Sequence, residues 1–394
     1  MSVEPGERPR SALIVWSDYR EMGARLPDLF HQAGIAVDLL GAEHRVLTLS
    51  RHIRRSLHCE REAMPAVLKS HLANPVNAYD WVILGDEATL YALIDDPTED
   101  WSSIFPVEYS GIKPRLITSK ALFTNLCREK GIALPPSVVC SRAEELEAAA
   151  AGLGYPVMVK SDRGCAGNGV RKLQDAADLP QTLQHLSEGP WIVQKFIAGR
   201  VGSTQLLLDH GKPVCWFASL KHTVWPPPFG PSCVRELFSH PEMLTRLEQI
   251  GELTGFHGLC GVDWIVDEHN TLYILELNAR PTPCCHLGPF AGVDFSLALR
   301  QIAQGGPVTV QTPRDPQPKN PLVYMWPQYG YYCLYYGRLW GLLRFLPGAA
   351  NTDLRIGEPH ILRYNTFRFA WECARHFKHS TLRRLRRRAL LRAS

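Results

Sequence analysis

A chain of 394 residues, 45% hydrophobic and 21% charged, has the composition of a soluble protein with two or three structural units and holds no uncharged apolar run that would cross a bilayer. The stretch MSVEPGERPR lacks the apolar core of an export signal, so the expectation is a cytoplasmic protein without a spanning anchor. The formal charge of +4 is local, because six arginines and no acid fall within residues 381–394.

In chain order, SALIVW (11–16), GIAVDLL (34–40) and DWVILGD (80–86) read as buried strands spaced by helix-length segments. That alternation predicts a parallel α/β domain over residues 1–114. Between them RHIRRSLH (51–58) is a basic cluster, either an attractor for an acidic substrate or a solvated face. Ser119 is placed to cap a helix that stops at Gly131, and Ser141 with Glu144 has capping-box spacing before a second helix. Strands follow in YPVMVK, GVRKL, WIVQKF, STQLLLD and PVCWFASL, then the proline-rich WPPPFGP (225–231), which reads as a rigid loop. A later helix carries Met243, Leu244, Leu247, Ile250 and Leu253 on one face. Eleven scattered cysteines without a C-x-x-C pair suit reduced thiols rather than a disulfide framework or a cysteine zinc site.

GVDWIVDEHNTLYILELN (261–278) reads as a hairpin across the polar DEHN turn. With Val266 opposite Thr271, the simplest register puts Asp263 opposite Ile274, with Glu276 and Asn278 on the same face and Glu276 on the diagonal. A slip of one residue would carry Asp263 to the other face. A strand ending in water would carry the same polar residues, but Leu272 to Leu275 and Leu277 are apolar on both faces, as in a central strand. A carboxylate there calls for a partner or a metal, and oxygen-only ligands suit Mg²⁺ or Mn²⁺.

SDRGCAGNGV (161–170) supplies Gly164, Gly167 and Gly169 after a strand ending in Lys160. Such a loop can close backbone N–H groups around phosphate, although neither common phosphate-loop signature is present and a mobile turn would read the same way. WIVQKFIAG (191–199) is a strand stopping at glycine, which suits either an adenine-contacting hinge or a core strand.

Taken together and in order, these features resemble the ATP-grasp superfamily, carboxylate–amine ligase type, over roughly residues 115 to 305. ELNARPTP is similar to the ending seen in D-alanine–D-alanine ligase, carbamoyl phosphate synthetase and amino-acid ligases. The resemblance implies an α/β fold, α+β in its ATP-grasp part: a preceding α/β domain (1–114), a two-subdomain ATP-grasp unit (115–310) and an aromatic-rich C-terminal extension (311–394) with an arginine-rich tail. It implies that Lys120 and Lys160 contact ATP phosphates, that the backbone of Gly164 to Gly169 covers them, and that Gln194, Lys195 and Ile197 line adenine. Asp263, Glu276 and Asn278 would hold Mg²⁺ (or Mn²⁺), Arg280 would face the transferred phosphate or the acyl substrate, and Lys221 would be a further phosphate contact. Where these enzymes often carry a ribose-binding glutamate, this chain has Val201.

The activity implied is ATP-dependent joining of a small-molecule carboxylate to an amine through an acyl phosphate, releasing ADP and phosphate. A kinase, a bicarbonate-using carboxylase-like enzyme, and a non-catalytic nucleotide-binding or membrane-associated protein are the alternatives. YGYYCLYYGRLWGLLRFLPG (329–348) and the arginine tail suit either a lid or oligomer contact, including a homo-oligomer, or an anionic membrane surface. No specific nucleic-acid partner is expected.

Overall fold

The computed structural model describes residues 10–17, 25–41, 46–97, 99–108, 110–164, 169–186, 188–225, 231–315, 319–355 and 358–375. Three sheets organise them. The first is parallel, from β1 (Ser11–Trp16), β2 (Ala36–Gly41), β3 (Ile53–His58) and β4 (Trp81–Leu84), in the order β3-β2-β1-β4. Every residue of β1 is buried, as the continuous apolar run requires of a strand covered on both faces.

The basic cluster at 51–58 contains β3, whose Arg54 and Arg55 already have a partner. Arg54 Nε and Nη2 donate to the Asp38 carboxylate at 2.9 and 3.0 Å, and Arg55 Nη2 donates at 2.7 Å. Asp38 sits fully buried on the neighbouring β2, so both guanidiniums are spent as its counter-charge. Burial alone would raise that carboxyl, but its bonds from Arg54, Arg55 and Tyr79 outweigh burial and hold it at about 2.

The second sheet is antiparallel, from β5 (Ser137–Cys140), β6 (Val157–Ser161), β7 (Val170–Leu173) and β8 (Trp191–Lys195), in the order β5-β8-β6-β7. It has its own small core of Val157, Val159, Leu173 and Val193 closed by Leu146 and Ala150. Their helix, Glu145–Leu153, starts three residues later than a Ser141/Glu144 box requires. The Glu145 carboxylate instead accepts from the backbone N–H groups of Ser141 and Arg142, at 2.9 and 3.3 Å.

The third sheet has seven strands: β9 (Gly199–Asp209), β10 (Lys212–Val224), β11 (Ser232–Phe238), β12 (Gly258–Asp267), β13 (Leu272–Asn278), β14 (Leu322–Tyr324) and β15 (Asn351–Thr352). Their order is β13-β12-β9-β10-β11-β14-β15, so residues beyond 310 extend this sheet. Its apolar side chains join those of the parallel sheet in shared cores, Leu13 and Val15 with Leu206, Trp216 and Trp264 on one side, and Ile14 and Trp16 with Leu207 and Phe217 on the other. This shared burial fixes the parallel sheet against the large one.

In the C-terminal extension Trp326 packs edge-on against Phe345 and Phe369, while Trp340 is 85% exposed. No helix of the described residues is long and apolar enough to cross a membrane. The arginine tail at 381–394, Cys165 and most of WPPPFGP lie outside the described residues. All ten cysteines among the described residues are free thiols, nine of them buried.

Candidate functional site

The β12–β13 hairpin departs from the expected register twice, and the departures compensate. Val266 pairs with Leu272 rather than Thr271, which widens the turn by one residue. Asp267 fills it by accepting from the N–H groups of His269 and Thr271 at 3.0 and 2.8 Å, with Asn270 in the left-handed region at φ 62. Continued unbroken, that register would set Leu275 across from Asp263 and turn Glu276 toward Val262 and the core. A β-bulge at Leu275 restores the parity, and Asp263 then pairs directly with Glu276, and Gly261 with Asn278. Asp263, Glu276 and Asn278 therefore share one face, as neighbours rather than along a diagonal.

β13 is also not a central strand. It is the edge of the seven-stranded sheet, and its apolar residues are accounted for by the segment that covers it: Ile274 N–H donates to the Ala133 carbonyl at 2.8 Å, and the helix Lys120–Glu129 packs alongside. Glu276 consequently keeps 26% of its side chain exposed and Asp263 19%, within reach of a ligand.

Each carboxylate is held by a lysine. Lys120 Nζ lies 3.1 Å from Glu276 Oε2 and donates to the Gly164 carbonyl at 2.8 Å, and Lys221 Nζ lies 2.6 Å from Asp263 Oδ2. Lys120 stands in the first turn of its helix, where the macrodipole disfavours a cation, so its position depends on the neighbouring acids. Ser119 caps the helix as expected, and its hydroxyl donates to Asp162, which also accepts from Ala121 N–H, both at 2.8 Å. Asp162 thus ties the start of this helix to the strand end from which the glycine loop departs.

Lys160 Nζ donates to Gln194 Oε1 at 2.7 Å, and Gln194 donates to Ser137 Oγ at 2.9 Å. Burial pushes the Lys160 ammonium down to about 8, Lys120 adding to the depression while Glu276 and Asp263 oppose it. For Glu276 burial acts upward, but the charges of Lys120, Lys160 and Lys221 prevail and hold it well below the usual carboxylate range. The site gathers three lysines around two carboxylates, arranged so that a polyanion can take the lysines and a cation the acids.

The remaining expectations divide. Lys195 Nζ donates to the Gly154 carbonyl at 2.6 Å, so its side chain is not gathered with Lys160 and Gln194; alternation along β8 sends neighbours to opposite faces. Ile197 is half-buried in the connection from β8 to β9. Gly164 and Gly169 flank the loop with φ of 135 and 75, and a Cβ on Gly169 would meet Ser161 Oγ at 2.9 Å, which explains why glycine is needed there. Gly167 lies outside the described residues. Val201, 36% exposed, sits two residues before Ser203 on the same strand, and alternation puts it on the face that carries Asp263. The resemblance puts ribose beside Val201, whose methyl groups offer no charged hydrogen bond of about 1.5–3 kcal/mol to lose, so 2′-deoxyATP is expected to replace ATP with less than about a threefold loss in kcat/KM. Competition kinetics between the two nucleotides checks this.

Arg280 is buried, its Nε 2.7 Å from Glu87 Oε2 and its Nη2 3.4 Å from Asn278 Oδ1. Glu87 opens the helix that follows β4, so this contact joins the end of the hairpin to the carboxyl end of the parallel sheet. Sequence reasoning missed Arg235. It pairs across from Lys221 on β11, is buried, and its Nη1 donates to Ser203 and Ser219 hydroxyls at 2.7 and 3.0 Å. A lone arginine within an apolar strand carries no motif; only the sheet order reveals it beside the lysines. A cavity of about 360 Å³ runs along β4 from Arg10, Asp80 and Trp81 to Leu84; Arg280 borders it, and none of the three lysines does.

Residues 117–284 match the family model of the ATP-grasp domain. The chain carries an ATP-grasp domain. It is 26% identical over 215 residues to a D-alanine–D-alanine ligase of Geobacter sulfurreducens, which covers 50% of this chain and 64% of the relative. It is also 26% identical over 215 residues to the C-terminal section of the carbamoyl phosphate synthase large chain of Aquifex aeolicus, covering 50% and 38%. The match thus spans under two thirds of each curated relative. Among solved structures, N5-carboxyaminoimidazole ribonucleotide synthetase from Thermotoga maritima superposes with a TM-score of 0.55 at 14% identity, covering 77% of this chain and 78% of that one. An L-amino acid ligase from Bacillus licheniformis gives 0.55 at 16%, covering 76% and 75%. At these identities the structures establish shared fold. Within this ATP-grasp domain the donor set of two carboxylates and one amide, all oxygen and on one face, fits a hard divalent cation such as Mg²⁺.

Proposed function

We propose that the protein is an ATP-dependent ligase that joins a carboxylate to an amine, both small molecules, with Mg²⁺ (or Mn²⁺) held by Asp263, Glu276 and Asn278. The observation that carries this reading is the bulge-set pairing of Asp263 with Glu276 beside Lys120, Lys160 and Lys221. The divalent cation, when bound, supplies charge neutralisation for the polyphosphate. Lys120 and Lys160 then exchange Glu276 and Gln194 for phosphate oxygens, and Gln194, with Ile197, borders the base.

In the first step a substrate carboxylate oxygen bonds to the γ-phosphorus as the bond to the bridging oxygen breaks, giving an acyl phosphate and ADP. The amine then bonds to the acyl carbon, the acyl carbon–oxygen bond breaks, phosphate leaves, and the amine proton passes to solvent. Lys221 and Arg280 neutralise charge on the transferring group, work that needs positioning more than a covalent partner. Strand order supports a location for the acid: β1 and β4 diverge in their connections, and ligands of such sheets occupy the crevice at the carboxyl ends of the strands. Ser17, Glu87 and, through Glu87, Arg280 stand at that end.

Incubating the protein with Mg²⁺, ATP and a panel of amino acids, each offered as acid and as amine, tests the reading. Release of ADP and phosphate in equal amounts, dependent on both substrates, is expected. AMP and pyrophosphate as products, or turnover that requires bicarbonate and no amine, would overturn it.

A further inference from the structure

At the end of β9 away from Val201 and Ser203, three metal-ligating side chains converge. Asp209 closes β9, and His210 and Gly211 form a two-residue turn to Lys212, which pairs back with Asp209. His257 comes from the segment between the helix Met243–Thr254 and β12. Asp209 Oδ1 lies 3.3 Å from His257 Nδ1 and 4.0 Å from His210 Nε2, and one ligand atom from each residue falls within 4.8 Å of the others.

The surroundings hold these groups in place. His210 has φ 44 and Gly211 φ 84, both left-handed, in a turn where asparagine followed by glycine would be the unstrained choice. Gly211 N–H donates to the Phe256 carbonyl at 2.8 Å, and a Cβ on Gly251 would lie 1.9 Å from the Gly211 carbonyl oxygen, so the turn and the helix end are in backbone contact. His257 is stacked between Trp81, at 5.2 Å, and His210, at 4.3 Å, and its backbone N–H donates to the Pro106 carbonyl at 2.7 Å.

We propose that Asp209, His210 and His257 form a zinc site with a fourth position open to water, joining the β9–β10 turn to the parallel sheet through Trp81. Two imidazole nitrogens and one carboxylate oxygen suit Zn²⁺ rather than the oxygen-preferring Mg²⁺ of the nucleotide site. Tetrahedral bonds of about 2.0–2.2 Å set ligand atoms roughly 3.4 Å apart with the ion in the plane of each ring, so the exposed His210 side chain has to swing out of its stack on His257 to bring Nε2 onto the ion. The His210 backbone N–H donates to His257 Nδ1 over a long 3.4 Å, a weak bond that the metal replaces.

The test is calorimetric titration of Zn²⁺ into the full chain after chelator treatment, with excess Mg²⁺ and ADP present to fill the oxygen site. One equivalent should bind, and Zn²⁺ should raise the melting temperature. His210→Asn, which suits the turn conformation and leaves every thiol in place, should fold as well as the parent yet lose more than about tenfold in affinity, as should Asp209→Asn. Adding Cu²⁺ should quench part of the tryptophan emission, and Trp81→Phe should remove that part. Absence of saturable Zn²⁺ binding, or binding to His210→Asn with parental affinity, would overturn the proposal.

Discussion

Replacing Glu276 by Gln is expected to lower kcat for ADP release by about 10²–10³-fold while leaving metal-free nucleotide affinity undiminished. The side chain keeps its size and hydrogen-bonding reach, so the loss is one of charge. In the parent, Glu276 engages Lys120 at 3.1 Å, and in the proposed function it is also a ligand of the cation. Without the carboxylate, the divalent cation loses a charged donor opposite Asp263, and the transferring phosphate loses the neutralisation on which the step depends. Lys120 and Lys160, released from that charge, meet a metal-free polyphosphate with less competition. Measuring ADP binding with and without Mg²⁺ separates the two effects. Equal weakening of both would mean that Glu276 is merely structural, and unaltered turnover would remove it from the metal set.

Lys160→Met carries the second large expectation. The side chain is half-buried, and desolvation depresses its ammonium to about 8 from an ordinary value above 10. Binding a polyphosphate favours the charged form and raises that value. Affinity for ATP is therefore fully present below about pH 8, and as pH rises from there toward the value in the complex it falls by up to about tenfold per unit, the limit for one proton taken up on binding. The methionine variant should bind ATP about 10–100-fold more weakly at pH 7 and show none of this dependence. Stability moves the opposite way. A lysine whose folded value lies below its unfolded one destabilises the fold while charged, and that cost is relieved as pH climbs from about 8 past the unfolded value, so Lys160→Met should melt higher than the parent at pH 7. Titrations from pH 6.5 to roughly 9.5 with a melting curve at each end check both signs. A parent affinity that stays flat across this range would show that Lys160 does not meet the nucleotide.

Much of this protein is legible in its residues taken in order. Strands β1 and β4 announce themselves as uninterrupted apolar runs, and β2 as one broken only by Asp38, because strands covered on both sides have no solvent face to mark. Ser119 declares its helix because capping is a local bond to Leu122 N–H. The chemical identities of the site were visible for the same reason: lysine, glutamate and asparagine are costly within oily strands, so their presence in VMVK and LYILELN asks for a ligand.

What order along the chain does not determine is which of these groups meet. β3 hides within RHIRRSLH because its arginines are charged, and only the adjacent burial of Asp38 makes a strand of them. β13 reads as central but is an edge, its apolar side chains covered by a helix more than a hundred residues upstream. The pairing of Asp263 with Glu276 depends on a wider turn and a bulge, two one-residue shifts that leave no mark in an alternating pattern. Arg235 joins Lys221 through cross-strand pairing, and Asp209 and His210 approach His257 because Gly211 and Gly251 permit backbone contact. Composition and local periodicity thus fix the kinds of chemistry this chain can perform. The distances at which it performs them are set by sheet order and register, which arise from contacts between residues far apart in sequence.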